Sequence, residues 1–111
     1  MIKNLMNLLD DKKAENIVHI SLHNRDYVVS DVVIATALAG KHGLSLIDEI
    51  KKLAKNFGLS LFGSDLENDE WLVLDFGDLM IHIFTQNVRD KIKLEEFLSE
   101  FQKTKPQDQP F

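Results

Sequence analysis

The run Val32-Val33-Ile34-Ala35-Thr36 is aliphatic or β-branched throughout and carries no charge. A strand with one wet face alternates apolar and polar side chains, so an unbroken run of this kind demands cover on both sides. That points to a central strand of an α/β sheet with helices packed on it. We read the strand from Val28 to Thr36, with its outer end marked by the turn-forming His23-Asn24-Arg25-Asp26. At 111 residues the chain has room for one such domain and one modest core.

The flanking segments supply the other layers. Ile2, Leu5, Met6, Leu8 and Leu9 share a helical face between Ile2 and about Lys13, and Ile17 to Leu22 suits a strand. Leu44, Ile47, Ile50, Leu53, Ala54 and Phe57 recur at three- and four-residue steps opposite Asp48, Glu49, Lys51, Lys52 and Lys55, which predicts an amphipathic helix. Gly40-Lys41-His42-Gly43 opens it as a loop and cap, and Gly58 stops it. Leu59 to Phe62 reads as a short strand. From Glu70 to Phe84, two apolar runs meet at Gly77-Asp78 as a β-hairpin. Lys91 to Gln102 puts Leu94, Phe97, Leu98 and Phe101 on one helical face. The expected architecture is α/β, a mixed sheet of about five strands flanked by helices, with residues 1–102 as a single domain and 103–111 as a flexible tail.

Composition removes several functions. Thirteen Lys and Arg against eighteen Asp and Glu leave a net charge of −5, which disfavours a protein that grips nucleic-acid phosphates over its whole surface. No cysteine is present, so thiol nucleophiles, disulfides and zinc–cysteine sites are excluded. No apolar run approaches about 18 residues, and the first residues carry no signal-peptide pattern. A small, soluble, acidic cytoplasmic protein is the expectation.

Catalytic patterns are weak. His19, His23, His42 and His82 match no compact metal-ligand spacing, so no metal site is assigned. Asp75 and Asp78 flank the hairpin turn and could hold magnesium, but turns attract Asp for conformational reasons. Gly63-Ser64 is reminiscent of the Gly-Ser turn of nucleotidyltransferases, but leads into an acidic loop and hairpin where those enzymes place a helix. Gly40-Lys41-His42-Gly43 lacks the Lys-Ser or Lys-Thr of a phosphate loop, and no Gly-x-Ser-x-Gly occurs.

Three segments then form a pattern in order: Asp11-Lys12-Lys13-Ala14-Glu15-Asn16-Ile17, Ser30-Asp31-Val32-Val33-Ile34-Ala35-Thr36, and Glu70 through Phe84 with its Trp, Gly-Asp and single His. Over roughly residues 5 to 98 they resemble the ribosomal silencing factor family, also called RsfS or Iojap, and Leu94-Glu95 matches its closing Leu-Glu pair. The resemblance implies a nucleotidyltransferase-like fold without catalysis or cofactor. It further implies binding to the large ribosomal subunit through ribosomal protein fourteen, blocking subunit joining and repressing translation. The chain departs from the family at Ala37 to His42, at Val32 and at Ile92 and Leu98. An active metal-dependent nucleotidyltransferase and a homodimeric scaffold are the alternatives.

Trp71 is the chain's single Trp and the first candidate for a partner anchor. Alternation sends Trp71, Val73 and Asp75 to one face and Leu72, Leu74 and Phe76 to the other, and Asp75 argues for partial exposure of its face. Phe76 is expected to add apolar contact, and Leu79 is a weaker candidate. Asp75 and Asp78 are expected to steer a basic ribosomal protein. His82 is a weaker candidate, better explained as a satisfied strand histidine.

Overall fold

The computed structural model describes residues 1–22, 30–94, 96 and 98. The elements run α1 (Ile2–Asp11), β1 (Glu15–Ser21), β2 (Asp31–Ala37), α2 (Gly40–Asn56), β3 (Gly63–Asp65), β4 (Trp71–Asp75), β5 (Leu79–Thr85) and α3 (Gln86–Ile92). The strands form one mixed sheet in the order β1-β2-β5-β4-β3, in which β2 and β5 are parallel and every other pair is antiparallel. This is the α/β five-stranded architecture that the sequence predicts.

The unbroken run on β2 is buried from Val32 to Ala37, as a strand covered on both faces must be. Its alternate residues divide between two cores. Val33, Ala35 and Ala37 join Leu72, Leu74, Ile81 and Ile83 beneath the helices, where Leu5 and Leu9 of α1 meet Leu46, Ile47, Ile50 and Ala54 of α2. Val32 and Ile34 join Ile20, Leu22 and Phe84 in a smaller cluster on the opposite face. Val88, Leu94 and Leu98 pack partly buried against this second cluster. Arg89, almost wholly buried, donates from Nη1 to the Asn16 carbonyl and to Thr36 Oγ1, the latter at 2.7 Å, and so ties α3 to β1 and β2.

The structure corrects several local expectations. Leu59 to Phe62 is not a strand. Leu61 and Phe62 are exposed, and the edge strand lies one step on, where Gly63, Ser64 and Asp65 pair with Asp75, Leu74 and Val73. Only the Phe62 N–H reaches β4 ahead of it, donating to the Asp75 carbonyl at 2.8 Å. Gly40 to Gly43 is the first turn of α2 and not a loop, entered from an extended Ala39. The buried stripe of α2 is Gly43, Leu46, Ile47, Ile50 and Ala54, while Leu44 and Phe57 are exposed.

The third helix begins at Gln86, five residues before the expected start, a first turn that polar, exposed Gln86 and Asn87 leave unmarked by any hydrophobic period. It pauses at Lys93, whose φ of 51° is left-handed, and Leu94, Glu96 and Leu98 are helical again. Phe97, Phe101, the expected tail, His23 and the first residues of the expected second strand lie outside the described residues.

Gly43 sets how closely α2 approaches the sheet. A methyl group there would lie 2.9 Å from Leu72 Cδ1 and 3.5 Å from Ala37 Cβ, both fully packed. In an unobstructed helix, replacing glycine stabilises by up to about 1 kcal/mol. Gly43→Val is expected to do the reverse and lower stability by about 2 kcal/mol through overpacking, measured by urea denaturation. Unchanged or raised stability would contradict the close approach.

A candidate docking face on the sheet

The hairpin is built so that its two faces differ. Gly77, at φ +89°, makes the reversal that a side chain would resist. Asp75 Oδ1 accepts the Gly77 N–H at 2.8 Å, and the Phe76 N–H donates to the Leu79 carbonyl at 2.8 Å. The resulting register opposes Trp71 to Phe84, Val73 to His82 and Asp75 to Met80. Since side chains alternate along each strand, these six share the face turned away from α1 and α2. Phe84 is buried, and Trp71, Val73, Asp75, Met80 and His82 are half-buried.

Trp71 is the centre of this patch. Its ring lies 5.1 Å from that of Phe84 and 6.2 Å from that of His82, while the His82 and Phe84 rings are 6.0 Å apart and within 10° of parallel. The indole Nε1–H donates to His82 Nδ1 at 3.0 Å. Burial disfavours the charged imidazolium and pushes the His82 pKa down from 6.5 to about 4. His82 is therefore neutral at physiological pH.

Of the five expected binding residues, the structure brings Trp71 and Asp75 onto one face, with Asp78 exposed on the adjoining turn. The expectation for Phe76 and Leu79 is corrected. Both are buried, 6% and 7% exposed, in the core beneath the helices, because the same alternation that turns Trp71 outward turns them inward. Their side chains lie in the core of the free protein. In their place the face presents Val73, Met80 and His82. The signal was in the sequence, since Met80 and His82 alternate with the apolar Ile81 and Ile83.

Among the described residues, no group of three His, Asp or Glu side chains could hold a metal ion. Asp75 uses a carboxylate oxygen on Gly77. His19 Nε2 meets Asp31 Oδ1 at 2.7 Å across β1 and β2. His42 accepts the Leu38 N–H on Nδ1 at 2.9 Å and donates from Nε2 to the Lys12 carbonyl at 2.7 Å, joining the end of α1 to the start of α2. At Gly40, the start of α2 is covered by the Asp69 carboxylate, and a methyl group there would collide with it. A negative side chain already sits at this helix start, which opposes the docking of a phosphate.

Fold and face together define an α/β domain that presents a half-buried Trp–His patch rimmed by acids. The family model described as ribosomal silencing factor during starvation, RsfS, matches residues 1–110, and the chain belongs to that family. It is 26% identical over 97 residues to the ribosomal silencing factor RsfS of Haemophilus influenzae, covering 86% of this chain and 95% of that one. A crystal structure of a Chromobacterium violaceum protein shares the fold with a TM-score of 0.82 at 23% identity, over 88% of this chain and 82% of that one. A Bacillus halodurans structure gives 0.73 at 26% identity, over 86% and 90%.

The lowered His82 pKa has a thermodynamic consequence. Between about 4 and 6.5 the unfolded chain binds a proton at His82 that the folded protein refuses. Stability from this group is therefore complete above pH 6.5 and is lost as pH falls towards 4, by up to roughly 3 kcal/mol. Urea denaturation at pH 7 and pH 4.5 should show a smaller acid-induced loss in His82→Phe than in wild type. Equal losses in both proteins would contradict the assignment.

Proposed function

We propose that this protein represses translation by docking on the large ribosomal subunit through ribosomal protein fourteen and sterically blocking subunit joining. The observation that carries the reading is the Trp71 face: a large aromatic side chain held partly exposed in a largely apolar patch, in a chain that belongs to the ribosomal silencing factor family. Trp is the residue type most enriched among interface anchors, and here Phe84 and His82 hold it in place before any partner arrives. The role is non-catalytic and needs no cofactor, because occupying a surface is enough to exclude the small subunit. It is exercised in the cytoplasm, where subunits join. Among the described residues, no helix is long and apolar enough to cross a membrane.

The acids at the rim support a basic partner. Ribosomal proteins are generally cationic, and Asp75 and Asp78 beside the apolar patch would steer their approach and fix orientation. In the free protein the same apolar face is the surface by which two copies would pair, so dimerisation and ribosome binding would compete.

Trp71→Ala should weaken co-sedimentation with purified bacterial large subunits by about 2 kcal/mol or more, roughly 30-fold, with circular dichroism confirming the fold. The same variant should no longer inhibit subunit joining. Undiminished binding and inhibition would reject the Trp71 face as the docking surface. Asp75→Asn with Asp78→Asn removes both charges and leaves an amide oxygen to accept the Gly77 N–H. It should slow association several-fold and flatten its dependence on salt. A salt dependence equal to that of wild type would remove electrostatic steering from the account.

A further inference from the structure

His82 carries a second polar atom that the Trp71 hydrogen bond leaves over. An indole N–H has no acceptor capacity, so the Nδ1 atom facing it must be the unprotonated nitrogen of the ring. A neutral imidazole with a bare Nδ1 carries its proton on Nε2. No described residue accepts that proton: the only hydrogen bond the structure gives His82 is the one from Trp71. Strand side chains stand off the sheet, and Nε2 is the ring nitrogen farther from the backbone. The N–H therefore lies on the side of the half-buried ring away from the backbone, on a face where Trp71, Val73, Met80 and Phe84 are apolar and Asp75 is the acid.

Water can satisfy such a donor while the face is bare. When a partner covers the face, water leaves, and a buried donor without an acceptor costs about 1–3 kcal/mol. We propose that the docked protein partner places a backbone carbonyl oxygen against His82 Nε2–H, so that this histidine selects how the partner is seated on the Trp71 face. The proposal rests on the docking reading above and adds the chemistry that the partner must bring.

Other groups suit the site less well. Lys and Arg side chains have no acceptor to offer, although they dominate a basic partner's surface. A carboxylate would enter an apolar patch beside Asp75 and meet like charge there. An uncharged oxygen satisfies the donor at no such cost, and a backbone carbonyl is the most abundant one on a protein surface. Trp71 and His82 then act as a unit: the indole fixes the imidazole's proton on the outer nitrogen, and the imidazole offers it to the partner.

Two measurements test this. In the free, full-length protein at neutral pH, long-range ¹H–¹⁵N correlation of the His82 ring should show Nε2 protonated and Nδ1 bare; the opposite tautomer overturns the proposal. Co-sedimentation with large subunits should then separate three variants whose folding is checked by thermal melting. His82→Asn can still accept from Trp71 but has no donor at the Nε2 position, and His82→Phe has neither nitrogen. Both should bind about tenfold more weakly than wild type. His82→Gln carries an amide N–H to the Nε2 position and should recover at least threefold of that loss. Equal binding by Asn and wild type overturns the donor role, as does an equal loss in all three variants. Failure of wild type itself to co-sediment would instead remove the docking reading on which the proposal rests.

Discussion

The parallel ladder between β2 and β5 is the constraint on which the rest of the molecule depends. It sets Val33 beside Ile81 and Ala35 beside Ile83, so one face of the sheet becomes a continuous aliphatic floor for α1 and α2. The same register sets Ile34 beside His82 and Thr36 beside Phe84 on the other face. A one-residue slip would exchange the two sets and put an imidazole under the helices, so burial beneath the helices holds the register firmly. The face proposed for docking is thus a direct consequence of how the core is aligned.

The two faces are covered unequally, and the proposed docking rests on the inequality. Beneath the helices, the core residues of β2, β4 and β5 are almost wholly buried. On the far side, α3 and the Arg89 bridge to Thr36 and Asn16 close the end near Phe84, while Trp71, Val73 and Met80 stay partly exposed. A sheet that is well packed on one side can hold large side chains partly exposed on the other. Trp71 shows how: its ring packs on Phe84 and its N–H is satisfied by His82, so its remaining surface is available and already positioned.

Much of this was legible in the sequence, for reasons that also explain the misses. The central strand, the α2 period and the Gly77-Asp78 hairpin are repeats of residue type, and pattern alone carries them. The family resemblance rested on the central strand and the hairpin, together with Asp11 to Ile17. Leu59 to Phe62 misled because apolar content does not say whether a segment is paired: its leucine and phenylalanine at positions 61 and 62 face solvent. Gln86 was invisible as a helix start because a polar first turn carries no period. Phe76 and Leu79 were expected on the accessible surface although alternation already turned them inward. The link between Trp71 and His82 required the cross-strand register, which depends on the turn geometry and cannot be read from either strand alone.

The central claim is that the partner covers the Trp71 face, and hydroxyl-radical footprinting reads it residue by residue. Trp71 and Met80 oxidise readily and share the face, while Phe62 is 72% exposed and lies outside it, ahead of the edge strand. Saturating large ribosomal subunits should protect Trp71 and Met80 from oxidation several-fold and leave Phe62 unchanged. Protection of Phe62 with Trp71 and Met80 still oxidised at their free rate would contradict the account.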